Sequence, residues 1–292
     1  EEERDIIRRL AKVAPNKIAK ARSKSSTAKS PNSKSSTPPD YTLVGSTTNA
    51  NLAIEGINIG FTFWLLKDAK VEDDPEVAEA TTRRTKVKRG SSIKEKVENV
   101  KVVPRRVNSN TQFTNGDWLR FSLDLPIDGY IYIFNREKYV DGSLGQPYLI
   151  FPGQVDKGKS DKTIPGKLLF IPSEPDYFEI EDTNESEKEK LAEIYYVLIS
   201  PTPLADVTLL KTDEPEPISL ELFKQYEKFS APLLKFESQS EANKTITRIE
   251  KLANTKGTET LTEDDPLPQT VYHIAKPLGE TIFFSISAEI KK

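Results

Sequence analysis

Residues 113–152 read F-T-N-G-D-W-L-R-F-S-L-D-L-P-I-D-G-Y-I-Y-I-F-N-R-E-K-Y-V-D-G-S-L-G-Q-P-Y-L-I-F-P. Trp118, Arg120, Ser122 and Asp124 fall on one side of an extended chain, and Leu119, Phe121, Leu123 and Leu125 on the other. That period of two is the signature of a half-buried strand. Pro126 ends it, because proline has no N–H for the ladder. Asp128-Gly129 is a tight-turn dipeptide, after which Tyr130, Tyr132 and Phe134 alternate with Ile131, Ile133 and Asn135. The pattern predicts a hairpin between these two strands. Asp141-Gly142 and Gly145 mark a further turn, and Tyr148-Leu149-Ile150-Phe151 a third short strand closed by Pro152-Gly153.

Working outward, strands are expected at Tyr41 to Val44, Ile57 to Leu66, Val100 to Val107, Lys167 to Ile171, Tyr177 to Ile180 and Ile194 to Ser200. Others are expected at Leu233 to Phe236, Thr270 to Ala275 and Glu280 to Ala288. Val71 to Val97 reads as a charged interlude, with a basic cluster of Arg83, Arg84, Lys86, Lys88 and Arg89. Ser219 to Ser230 is a helix by the apolar face of Leu220, Leu222, Phe223, Tyr226 and Phe229, with Pro217 near its start. Many short strands with turn signals and few helices predict a mostly β protein: a β-sandwich or barrel-like body over residues 41–292, with one or two short helices.

Residues 1–40 form a separate arm. Glu1 to Val13 has Ile6, Ile7, Leu10 and Val13 at helical spacing and acids at its start. Asn16 to Asp40 is rich in Lys, Ser, Thr and Pro, with Ser-Lys-Ser-Ser-Thr at Ser23 to Thr27 and again at Ser33 to Thr37. Such a segment buries too little apolar surface to fold alone.

The central block resembles a bacterial family known as domain of unknown function 4384. The matching motifs are Gly116-Asp117-Trp118-Leu119-Arg120, Asp128 to Ile133, Asp141-Gly142 and Leu149 to Pro152. Ile171-Pro172 and Leu198 to Leu204 fit the family's later motifs, and Gly60 to Trp64 and Glu263 to Tyr272 resemble segments of its longer members. The resemblance spans roughly Ile57 to Ile290 and implies the fold; it carries no active site to transfer.

Composition narrows the function. The 292-residue chain has a formal net charge of −3, which points to no particular partner by bulk electrostatics. No apolar run reaches the roughly 18 residues of a transmembrane helix. With no Cys there is no disulfide, thiol nucleophile or thiolate metal site. With no Met, residue 1 is not a translation start, and cleavage of a secretory signal is the simplest origin. A trimmed chain is the alternative. A secreted protein, extracellular or in the cell envelope, is expected.

Catalytic chemistry finds little purchase. His273 is the one histidine and lies in a strand-like V-Y-H-I-A setting, with no G-x-S-x-G elbow anywhere. The acids Glu263, Asp264 and Asp265, or Asp73 and Asp74, read first as solvated turns and only second as a calcium or carboxylate site. No phosphate-binding glycine loop is present. No enzyme activity, cofactor, metal site or nucleic-acid partner is expected. The basic cluster reads as a solvated or self-association face. Tyr130, Tyr132 and Phe134, with Tyr139 and Tyr148, offer a sugar-stacking face, although core and cross-strand packing explains them more simply.

The expected role is a non-enzymatic structural subunit that forms a homo-oligomer or polymer, even a filament, through its arm. Ile6, Leu10, Ser23, Thr27, Ser33 and Thr37 mark the assembly segment, and its Ser/Thr content admits glycosylation. Asn184-Glu185-Ser186 and Asn243-Lys244-Thr245 match N-linked acceptors. The alternative is a monomeric extracellular module binding glycan or envelope components through the aromatic strand.

Overall fold

The computed structural model describes residues 41–43, 56–89, 92–152, 162–181, 188–205, 215–238, 242–255, 257–262, 264–277 and 279–291. The assembly segment, including Ile6, Leu10, Ser23, Thr27, Ser33 and Thr37, lies outside them.

Two sheets pack face to face. The first contains β1 (Tyr41–Leu43), β2 (Ile57–Asp68), β3 (Glu79–Arg89), β4 (Ser92–Val107), β5 (Trp118–Asp124), β9 (Leu168–Ile171), β10 (Phe178–Glu179), β13 (Leu233–Ser238) and β14 (Thr270–Ile274). The second contains β6 (Gly129–Tyr139), β7 (Tyr148–Phe151), β8 (Lys162–Thr163), β11 (Lys190–Ser200), β12 (Glu216–Pro217) and β15 (Ile282–Glu289). Among the described residues all the strand-to-strand pairings are antiparallel. Their inner faces share one core: Ile59, Phe61, Phe63, Leu119, Phe121 and Tyr272 from the first sheet meet Ile131, Ile133, Val197, Phe284 and Ile286 from the second.

Each outer face is also covered. Helix α1 (Leu220–Glu227) begins at Ser219, whose side chain caps Leu222 N–H. It lays Phe223 and Tyr226 over Tyr132, Phe134, Tyr196 and Phe283. On the other side, α2 (Arg248–Leu252) and its flanks bring Ile246, Ala253 and Leu261 against Trp64, Val103 and Phe170. This double covering is why β5 is buried at every position, polar residues included.

Two sequence expectations need correction. The strands β5 and β6 do not form a hairpin: β5 pairs with β2, β9 and β10, and β6 with β7, β8 and β11. The Asp128-Gly129 turn carries the chain from one sheet to the other. Gly129 lacks the positive φ that a two-residue hairpin turn would require, whereas Gly142, at φ 82°, has it between β6 and β7. The true hairpin is therefore one element later. Second, the charged interlude is mostly strand. It holds β3 and the start of β4, paired in unbroken register from Glu79↔Val102 to Arg89↔Ser92.

The course of β2 explains the shape of the first sheet. Its first half pairs with β14 and its second half with β4, both along one edge, while β5 runs along the other. The β4–β3 branch therefore leaves the sheet beside β2, and the sheet curls like half a barrel. Segment 243–246 closes the end of β4 by bonds such as Arg106 N–H to Lys244 O and Ile246 N–H to Pro104 O. Asn243, of the second glycosylation motif, sits here at φ 63°. Among the described residues no helix is long and apolar enough to cross a membrane.

Candidate functional site

The curl brings β3 to the segment that precedes β10. Tyr177 Oη donates to Thr82 O at 2.8 Å, and Thr81 Oγ1 donates to Pro175 O at 3.1 Å. Between them opens a cleft of about 570 Å³, walled by Thr81, Thr82, Asn99, Asp176, Tyr177 and Glu179. Asn99 stands opposite Thr82 in the β3–β4 register, and Asn99, Asp176 and Glu179 are exposed.

A stack underlies the cleft. The Tyr177 ring lies 4.1 Å from that of Trp118 at 20°, and the Arg83 guanidinium lies 4.6 Å from the Trp118 ring centre. Arg83 is itself paired with Asp68. Trp118 is thus covered on both sides, and Tyr177 presents the accessible aromatic surface. Leu66 and Val102 pack beneath.

A buried ion pair fixes the wall. Arg120 Nη1 donates to Glu79 Oε2 at 2.8 Å, and its Nε and Nη2 donate to Asp176 O at 3.2 and 2.8 Å. The alternation of β5 that aims Arg120 away from the main core therefore ties the segment around Asp176 to β3. The second Glu79 oxygen is buried, among the described residues without a nitrogen or hydroxyl partner, and Glu174 meets it. Burial and then the neighbouring Glu79 charge push the Glu174 carboxyl above its ordinary value. Nearby, Asp117 loses some of its acid strength to burial, but bonds from Thr114 and Lys67 outweigh this and hold its pKa down.

The other candidates fall elsewhere. Tyr132 and Phe134 are buried beneath α1 and Tyr130 is half-buried against the same cluster, so the expected sugar-stacking face is covered. Packing is their role, because α1 supplies the apolar partner that their side of β6 requires. His273 is 2 % exposed, with Nδ1 2.7 Å from Asn58 Oδ1, which favours the Nδ1–H tautomer. Asp265 accepts from Thr262 N–H and Oγ1, Asp73 from Lys70 N–H and Asp74 from Glu76 N–H; these acids shape turns. Glu263 and Asn184 lie outside the described residues.

Sequence reasoning missed the residues of the cleft. The available signal was the β-branched series Thr81, Thr82, Thr85 and Val87, which suits a strand better than a charged loop. Nothing in the sequence places Asn99 beside Tyr177. No family model matches the chain, and neither a curated protein nor a solved structure does.

Proposed function

We propose that the protein is a non-enzymatic binding module of the cell exterior or envelope that holds a glycan in the cleft beside β3. The observation that carries the reading is the convergence of Thr81, Thr82, Asn99, Asp176 and Glu179 around the accessible side of Tyr177. Hydroxyl-rich ligands need both donors and acceptors. Asn99 supplies both, the threonine hydroxyls accept because their protons go to Pro175 O and Asn99 Oδ1, and the two carboxylates accept from ligand hydroxyls. The aromatic ring offers an apolar plane for a sugar's C–H face. The absence of Cys and Met suits an oxidising exterior. Membership of the domain of unknown function 4384 family belongs to the same proposal.

Asn99→Ala and Glu179→Ala should each weaken glycan binding roughly tenfold, the usual scale for one lost polar contact to a ligand. Their melting temperatures should stay at the parent value, because both side chains are exposed. Screening the parent and both variants on a glycan array, then titrating the best ligand, tests this. No glycan bound by the parent, or affinities indifferent to both changes, would remove the reading.

A second reading, self-association through the arm, is favoured by charge. Residues 1–40 hold ten Lys/Arg and five Asp/Glu, a net +5 against −3 for the whole chain, which leaves −8 for residues 41–292. All nine charged residues between Ile6 and Pro39 are basic. A cationic arm is attracted to the acidic body of another copy, and such head-to-tail contact propagates when its rotation does not close. Electron microscopy and sedimentation of the chain with and without residues 1–40 should show polymer lost on deletion. Equal assembly by both would dismiss the arm.

A further inference from the structure

The hydroxyl protons around the cleft are committed within the protein. Thr81 Oγ1 donates to Pro175 O at 3.1 Å, Thr82 Oγ1 to Asn99 Oδ1 at 3.5 Å and Tyr177 Oη to Thr82 O at 2.8 Å. A hydroxyl whose proton is spent in this way still accepts through its lone pairs. Asp176 and Glu179 line the same cleft, both are exposed, and an ionised carboxylate only accepts. The acceptors are also held in place. Arg120 grips Asp176 O through Nε and Nη2 at 3.2 and 2.8 Å, so the segment that carries Asp176 and Tyr177 is fixed before a ligand arrives. The third element is the Tyr177 ring, whose π face attracts cations. The aromatic stack to which it belongs holds one cation in this way, with the Arg83 guanidinium 4.6 Å from the Trp118 ring centre.

We infer that the sugar held in the cleft carries a free amine, so that the ligand is a hexosamine-containing glycan bound through its ammonium group. This rests on the glycan reading of the cleft and narrows it. An ammonium brings three donors and no acceptor, which is the complement of two carboxylates and three proton-spent hydroxyls. Its hydrogen bonds to a carboxylate are charge-assisted and roughly twice as strong as those between neutral groups. The sugar ring lays its C–H face on Tyr177, and the ammonium lies within reach of the same π system. N-acetylation would take away the charge, leave one N–H and add a carbonyl that needs a donor. A uronic acid would set a further carboxylate against Asp176 and Glu179. Asn99 Nδ2 donates to a ring hydroxyl, a contact that sugars of every kind share, so Asn99 contributes affinity and the two acids contribute selection.

The test titrates the full chain, by calorimetry at low salt, with β-1,4-linked tetramers of glucosamine, of N-acetylglucosamine and of galacturonate. A tetralysine peptide serves as a control of equal charge. The glucosamine tetramer should bind at least about fivefold more tightly than its acetylated counterpart, the scale of one charge-assisted contact, and the galacturonate tetramer should bind least. Added salt should narrow the gap, because exposed charges are screened. Asp176→Asn and Glu179→Gln should each lower affinity for the glucosamine tetramer and leave the acetylated one nearly unchanged. Asn99→Ala should weaken both tetramers alike. Equal binding of the two tetramers by the parent would overturn this inference and leave the glycan reading standing. Failure of every sugar to bind would remove both. Tetralysine bound as tightly as the glucosamine tetramer would also overturn the inference, because charge alone would then select the ligand and its class would be a basic peptide.

Discussion

Replacing Arg106 by methionine is expected to cost the fold about 3–5 kcal/mol, the scale for breaking a buried ion pair from one side. Arg106 is 1 % exposed. Its Nη2 donates to Glu250, its Nη1 to Leu267 O at 2.7 Å, and its guanidinium lies 5.0 Å from the Trp64 ring centre. Glu250 is equally enclosed. Its other oxygen closes the capping box of α2, accepting from Thr247 N–H at 3.0 Å and Thr247 Oγ1 at 2.8 Å. Methionine fills much of the arginine's volume, so the loss is electrostatic: it strands a carboxylate among Trp64, Val103 and Ile246. Adding Glu250→Gln should recover most of the stability, since glutamine keeps the capping box and carries no charge. Urea denaturation of the parent, the single variant and the double variant measures this. A single variant within about 1 kcal/mol of the parent would mean that water reaches Glu250.

The strands that sequence pattern located best are those with large apolar residues on one side. β7 falls at Tyr148–Phe151 as expected, and β9, β11, β13 and β14 lie within a few residues of their predicted bounds. Period two, however, reports alternation and not which sheet receives a strand. The residues on both sides of β5 and of β6 are buried, so the pattern that looked like one hairpin fits equally two strands in facing sheets. α2 was missed because five residues give too short a periodic run, although its capping box at Thr247 and Glu250 was legible. The cleft was illegible for a different reason. Its walls come from β3, β4 and the approach to β10, nearly a hundred residues apart in sequence, and they meet only because β2 changes partner along its length.

Phe134→Ala is the other large effect, at about 3–5 kcal/mol for a buried phenylalanine truncated in a packed layer. The ring is 0 % exposed, stacked on Tyr226 at 5.5 Å and set edge-on to Phe223 at 6.0 Å. Removing it leaves α1 without its main support, because an eight-residue helix lacks the length to hold itself in water and depends on its buried face. Phe134→Leu keeps most of the volume and should cost about 1 kcal/mol. The leucine variant then separates packing from recognition. Thermal unfolding should show the ordered loss from parent to leucine to alanine. Glycan binding by the folded leucine variant should match the parent, while Asn99→Ala stays weakened. If instead Phe134→Leu folds normally and binds nothing, the site belongs to the aromatic strand after all, reached by displacement of α1, and the cleft beside β3 loses its claim.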